Sequence, residues 1–144
     1  MRPIKFRGKS KNYISEKQRF VYGSLSFWGD GRLSIRWRVK GSDTAWKTCG
    51  VIPETVGQFI GIVDRNGKEI YDGDIITVKG DYPRVVLWDK MMWALMPTVY
   101  YHDEDFWVMN LQHPGVDWWE EYADEIEVIG NIYDNPEMLS RLKI

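Results

Sequence analysis
The sequence predicts a mainly β fold, a single-domain barrel or sandwich of nine or ten short antiparallel strands with one or two short helical turns. Three observations predict it. Turn signals recur every 8 to 12 residues, one segment alternates cleanly between apolar and polar residues, and helical signals are few.

The Pro3 to Arg7 segment reads as a strand, placed at an edge because Pro3 cannot donate to a ladder. Phe20 to Trp28 is rich in β-branched and aromatic residues and is joined through Gly29-Asp30-Gly31 to the alternating strand, Arg32 to Lys40. There Leu33, Ile35, Trp37 and Val39 share one face, while Arg32, Ser34, Arg36, Arg38 and Lys40 share the other. Gly41-Ser42-Asp43 turns the chain into a strand around Trp46. Phe59 to Val63 follows, then the hairpin turn Asp64-Arg65-Asn66-Gly67, in which Asn-Gly is the strongest short hairpin signal. Asp72-Gly73 makes a further turn before Asp74 to Val78. The remaining strands are Arg84 to Trp88, Met92 to Tyr101, Phe106 to Leu111 and Glu125 to Ile132. Asp117 to Tyr122 suits a short helix. Asn135-Pro136-Glu137 places a capping residue, a proline at the first helical position and an acid near the positive helix end, which predicts a terminal turn or two through Leu142.

Composition fits one self-sufficient core. The chain has 144 residues, 44% of them hydrophobic, with eight Trp, eight Tyr and five Phe, far too aromatic for a disordered chain. No apolar run approaches the roughly 20 residues that span a bilayer, and Met1 to Ser10 lacks the apolar block of a signal peptide. The expectation is a soluble, cytoplasmic protein with no membrane association and no cofactor. A single cysteine, Cys49, allows no internal disulfide, and with two histidines beside it a structural zinc site has too few ligands.

The net charge of −2 conceals a strong segregation. Residues 1–50 carry twelve Lys and Arg against three acids, a balance of +9, whereas residues 101–144 carry two against eleven, a balance of −9. The acidic third is no solvated tail, because its charges are interleaved with Trp107, Trp118, Trp119, Tyr122, Ile126 and Val128.

Several blocks of the sequence are specific enough to suggest a family. They are Ile4-Lys5-Phe6-Arg7-Gly8-Lys9, Phe20-Val21-Tyr22-Gly23 and Pro53-Glu54-Thr55-Val56-Gly57-Gln58-Phe59-Ile60-Gly61, followed by Asp64-Arg65-Asn66-Gly67-Lys68-Glu69-Ile70-Tyr71-Asp72-Gly73-Asp74-Ile75 and Glu127-Val128-Ile129-Gly130-Asn131-Ile132-Tyr133-Asp134-Asn135-Pro136-Glu137. In this order they resemble the YopX family of phage and prophage proteins across almost the whole chain, with Ile60 standing where that pattern has Thr. The resemblance implies a β-rich protein encoded by a phage or prophage. It brings no catalytic residues with it, because the family has no established biochemical activity.

Read chemically, Glu69, Asp72 and Asp74 cluster around two turns, the raw material of a cation site or acid/base pair. The plainer reading is that they hydrogen-bond turn amides. Asp64-Arg65-Asn66-Gly67 fails as a calcium loop, since its Gly stands fourth where such loops need it sixth. The tip His102-Asp103-Glu104-Asp105 reads as a solvated loop, and Cys49 as a structural thiol. Arg32, Arg36, Arg38 and Lys40 share one strand face, to which the N-terminal segment adds Lys5, Arg7, Lys9 and Lys11, and they suit a nucleic acid backbone. The acidic third argues against phosphate binding, and the plainer reading is a solvated or internally paired basic face. Trp118-Trp119, being adjacent, cannot both face inward easily, which leaves one of them for a protein interface. The leading expectation is a non-enzymatic module that binds a protein partner or self-associates through the basic strand face and the Trp118-Trp119 region. A nucleic-acid-binding β-barrel comes second and a carboxylate- or metal-dependent enzyme third.

Overall fold
A computed structural model describes residues 3–11, 19–103 and 111–139. They form ten strands in two antiparallel sheets, and the chain divides into two compact units, Met1–Phe59 and Ile60–Ile144. No closed barrel accounts for all ten strands, so the expectation holds at the level of antiparallel β architecture.

In the first unit, β1 (Phe6–Lys9), β2 (Phe20–Phe27), β3 (Leu33–Arg38) and β4 (Trp46–Val51) form a consecutive antiparallel run. The expected edge position for the N-terminal strand is corrected here. β1 lies between β2 and the start of β5 (Gly57–Val63), because Pro3 stands outside the strand and its missing N–H is never needed. The run also curls back on itself. Ser10 bridges Val51, the Lys11 N–H donates to the Gly50 carbonyl at 2.9 Å, and the Ile52 N–H donates to the Lys9 carbonyl at 2.9 Å.

Two glycines permit that curl. A Cβ on Gly8 would stand 3.0 Å from the Val51 Cβ, and one on Gly23, whose φ is +156°, would stand 2.2 Å from the Arg36 carbonyl oxygen. Only a residue without a side chain lets the backbones approach so closely. Both glycines fall in the blocks that carry the family resemblance.

Local turn chemistry sets the pairing. In the β2–β3 hairpin the Trp28 N–H donates to the Arg32 carbonyl, and the Asp30 carboxylate accepts the Arg32 N–H at 3.1 Å and the Arg32 Nε–H at 2.6 Å. Those contacts, the backbone bond first, hold the Asp30 carboxyl below its ordinary range. In the β3–β4 connection Ser42 Oγ accepts the N–H groups of Thr44 and Ala45. The resulting registers place Ile35 between Leu25 and Cys49, with Ile35 and Val51 fully buried.

The second unit contains the rest of β5, then β6 (Glu69–Tyr71), β7 (Asp74–Val78), β8 (Arg84–Asp89), β9 (Met92–Pro97), helix α1 (Val116–Tyr122) and β10 (Ile126–Asn131). Its four-stranded sheet runs β10-β7-β8-β9. β7 is buried along its whole length, so its apolar residues serve both faces. Ile76 and Val78 pack with Ile60, Ile70, Val86, Leu95, Trp119 and Ile126; Ile75 packs with Val85 and Leu139.

The expected strand Met92 to Tyr101 stops at Pro97 and continues as a 3-10 turn over Thr98–Tyr100, since Pro97 has no N–H with which to extend the ladder. The expected strand Phe106 to Leu111 lies outside the described residues except for Leu111. The C-terminal helical signal gives a 3-10 turn over Pro136–Leu139. Asn135 does not spend its side-chain oxygen capping that turn. It accepts the Asn131 N–H at 3.2 Å, close to where a Gly130 side chain would stand.

Candidate functional site
The basic strand of the sequence gives the first unit its chemistry, by a route that alternation alone shows only in part. Arg36 and Arg38 lie on β3 and point to one side, while Arg32 and Lys40 sit in the flanking turns. Arg36 stands opposite Ser24 on β2 and Thr48 on β4, and Arg38 stands opposite Trp46. Side chains paired in this way share a sheet face. The face therefore carries Ser24, Ser26, Ser34, Arg36, Arg38, Trp46 and Thr48, with Trp28 at the hairpin end.

The cross-strand pairs explain how the cations are held. Trp46 lies beneath both guanidiniums, the Arg36 Cζ standing 4.5 Å and the Arg38 Cζ 5.2 Å from its ring centre. Each such contact at an exposed site stabilises by about 0.5–1 kcal/mol, enough to reduce the wandering of a long side chain. Among the described residues neither guanidinium has a carboxylate partner, whereas Arg32 is paired with Asp30.

Between the arginines and the hairpin end lies a groove of about 490 Å³, lined by Ser26, Phe27, Trp28, Ser34, Arg36, Trp46 and Thr48. Small hydroxyl residues leave the space, and Ser34, 4% exposed, marks its floor. Trp28 and Trp46 remain 52% and 43% exposed. The Trp28 Nε1–H donates to Ser34 Oγ at 3.0 Å, which fixes the indole while leaving half of it open to solvent.

Of the N-terminal bases, Arg7 and Lys9 do not extend this face, whereas Lys11 is exposed and its Cδ lies 3.8 Å from where a Cβ on Gly50 would stand, opposite Ser34. Arg7 and Lys9 are buried, each with its cationic group 4.3 Å from the centre of the Phe20 ring. Trp28 and Trp46 carry no signal in the sequence beyond being aromatic. Their role depends on strand register, in particular on Trp46 lying across from Arg38.

The other candidates have local duties in the second unit. Asp74, 1% exposed, accepts the Tyr71 N–H at 2.8 Å. Glu69 accepts the Tyr71 hydroxyl at 3.1 Å, and the charge of Asp72, after burial, helps to raise the Tyr101 hydroxyl above its ordinary range. Among the described residues no three His, Cys, Asp or Glu are grouped so as to hold a metal ion. Of the His102 to Asp105 tip, Glu104 and Asp105 lie outside the described residues. Cys49 lies 3.2 Å from Ser10 Oγ.

Trp119 is buried in the apolar core at 6% exposure, and Trp118 packs against that core at right angles to it, 5.2 Å between ring centres. Trp119 is thus the inward member of the pair and Trp118 the half-buried one, and a helix of about two turns lets both indoles lean on the same cluster. Asp64, which opens the hairpin turn read from the sequence, binds three backbone amides. Its Oδ1 accepts the N–H groups of Asn66 and Lys68, and its Oδ2 that of Val128, all at 2.8–2.9 Å.

A family model described as YopX protein matches residues 5–140. The chain belongs to the YopX family. Among solved structures, the YopX chain is similar to the crystal structure of protein EF1440 from Enterococcus faecalis, at 18% identity, with 97% of this chain and 100% of that one covered and a TM-score of 0.55. That likeness shows a shared fold. No curated protein matches this YopX chain in sequence. No helix among its described residues is long and apolar enough to cross a membrane.

The YopX blocks now have physical meanings. Gly8 and Gly23 allow the curl of the first unit, Asp64 to Gly67 form a turn tied to β10, and Gly130 to Asn135 form the end of β10 and the turn that follows it. The residues of the Arg–Trp face, Ser24 included, lie outside those blocks.

Proposed function
We propose that this YopX protein is a non-enzymatic nucleic-acid-binding module whose ligand surface is the Arg–Trp face of the first unit. One observation carries the reading: among the described residues Arg36 and Arg38 have no carboxylate partner, and Arg36 lines a groove whose exposed flanks are Trp28 and Trp46. Basic side chains draw in phosphates, and aromatic faces accept bases.

The charge division supports it. Residues 1–59 hold twelve Lys and Arg against four acids, a balance of +8, and residues 60–144 hold seven against seventeen, a balance of −10. The acidic residues that argue against phosphate binding thus belong mainly to the second unit. A protein partner, the leading expectation from sequence, keeps the half-buried Trp118 as its member of the pair beside the core-buried Trp119; the groove on the basic strand face favours the nucleic-acid reading over it. The family resemblance supports a phage or prophage origin, and we place the protein's action in the bacterial cytoplasm, where nucleic acid is accessible.

Fluorescence anisotropy with a labelled oligonucleotide tests the reading. Affinity should fall steeply with salt, and joint replacement of Arg36 and Arg38 by Ala should weaken binding roughly tenfold or more and flatten the slope of log affinity against log salt by about 1–2. Undetectable binding at low salt would overturn it.

A further inference from the structure
We infer that the groove takes a single strand, with an unstacked base laid on Trp28 and its phosphates running toward Arg36 and Arg38; this rests on the nucleic-acid reading. Three features of the face point there. The first is the fixed indole. A base stacks best on a ring already held in place, and the bond from Trp28 Nε1 to Ser34 Oγ holds this one without covering it. The Arg32 guanidinium is 5.8 Å from the Trp28 ring centre and is already engaged by Asp30, so it leaves much of the indole free.

The second is the division of labour between the two tryptophans. Trp46 is occupied by Arg36 and Arg38 and orders their charges, whereas among the described residues Trp28 has Arg32 alone near its ring, at 5.8 Å. Phosphate contacts and base contacts therefore belong to different parts of the groove. The third is the floor. Ser26, Ser34 and Thr48 offer hydroxyls that donate and accept, and their small size admits a flat ring between the indoles.

A duplex cannot use this arrangement. Its bases are stacked on one another, so it presents only phosphates, which the arginines would attract without help from Trp28. An acidic polymer such as heparin is in the same position.

The test compares three ligands on the full-length protein: a fluorescein-labelled single strand, the same sequence as a duplex, and heparin as competitor. The single strand should bind tighter than the duplex. Trp28→Ala should cost the single strand roughly tenfold in affinity while leaving duplex and heparin binding unchanged, and Trp28→Phe should restore most of the loss. Unchanged circular dichroism would show that each variant is folded, as an exposed position allows. Equal binding of single strand and duplex, with Trp28→Ala neutral, would overturn the stacking inference and leave a general nucleic-acid site. No binding of any nucleic acid would overturn both readings.

Discussion

In the first unit Arg36 and Arg38 rest on an exposed tryptophan with no carboxylate partner among the described residues, whereas in the second Asp64, Asp74 and Asn131 spend their oxygens on backbone N–H groups. Polar side chains cost little on a wet sheet face but must be satisfied once buried. Charge that is bonded internally holds a fold, and charge left over an open groove is available to a ligand. On the proposed function, recognition falls to the first unit and architecture to the acidic second one, although the second carries the stronger sequence motifs.

The largest effect should come from removing the architectural carboxylate. Asp64 is 5% exposed and serves three amides from two segments. Asp64→Ala leaves those amides without their acceptor and should cost about 3–4 kcal/mol of stability, read as a lower urea midpoint. Asp64→Asn should cost less, because one amide oxygen remains to accept. A midpoint unchanged by Asp64→Ala would mean that the second unit does not depend on this turn.

The binding variants come next, since they should leave the fold intact. Loss of Arg36 and Arg38 should reduce affinity for every nucleic acid, and loss of Trp28 for single strands only. A stability change as large as that of Asp64→Ala in either variant would erase the distinction between the units.

The smallest effect concerns alkaline stability. Burial, and after it the charge of Asp72, raises Tyr101 above its ordinary value of 10.0. A hydroxyl whose pKa is higher in the folded state favours folding below the unfolded value, and that contribution is lost as pH rises through the folded one. Stability should therefore decline at pH above about 10. In an ultraviolet titration of tyrosinate, Asp72→Asn should lower the Tyr101 midpoint slightly while burial keeps it elevated. An unmoved midpoint would show that Asp72 does not act on this hydroxyl.

Much of the fold was readable from residues whose effects are local. Asn66-Gly67 marks its hairpin, Leu33 to Arg38 alternates as a half-buried strand should, and Pro97 ends a strand where proline must. The site was readable only in part. Arg36 and Arg38 follow from alternation along one strand, but their placement over Trp46 depends on which residue of β4 lies across from which residue of β3. Which of Trp118 and Trp119 turns inward is hidden for a similar reason, since helix geometry and a nearby core decide their burial. The bond from Asp64 to Val128 spans 64 positions, a separation at which local pattern says nothing.

The most direct test of the division between recognition and architecture is an amide NMR titration of the full-length protein with a short single-stranded oligonucleotide. The account predicts shifts concentrated on Ser24, Ser26, Trp28, Ser34, Arg36, Trp46 and Thr48, with the amides of Asp64 to Val78 unmoved. Shifts centred on the second unit, or none on this face while binding is saturated, would contradict it.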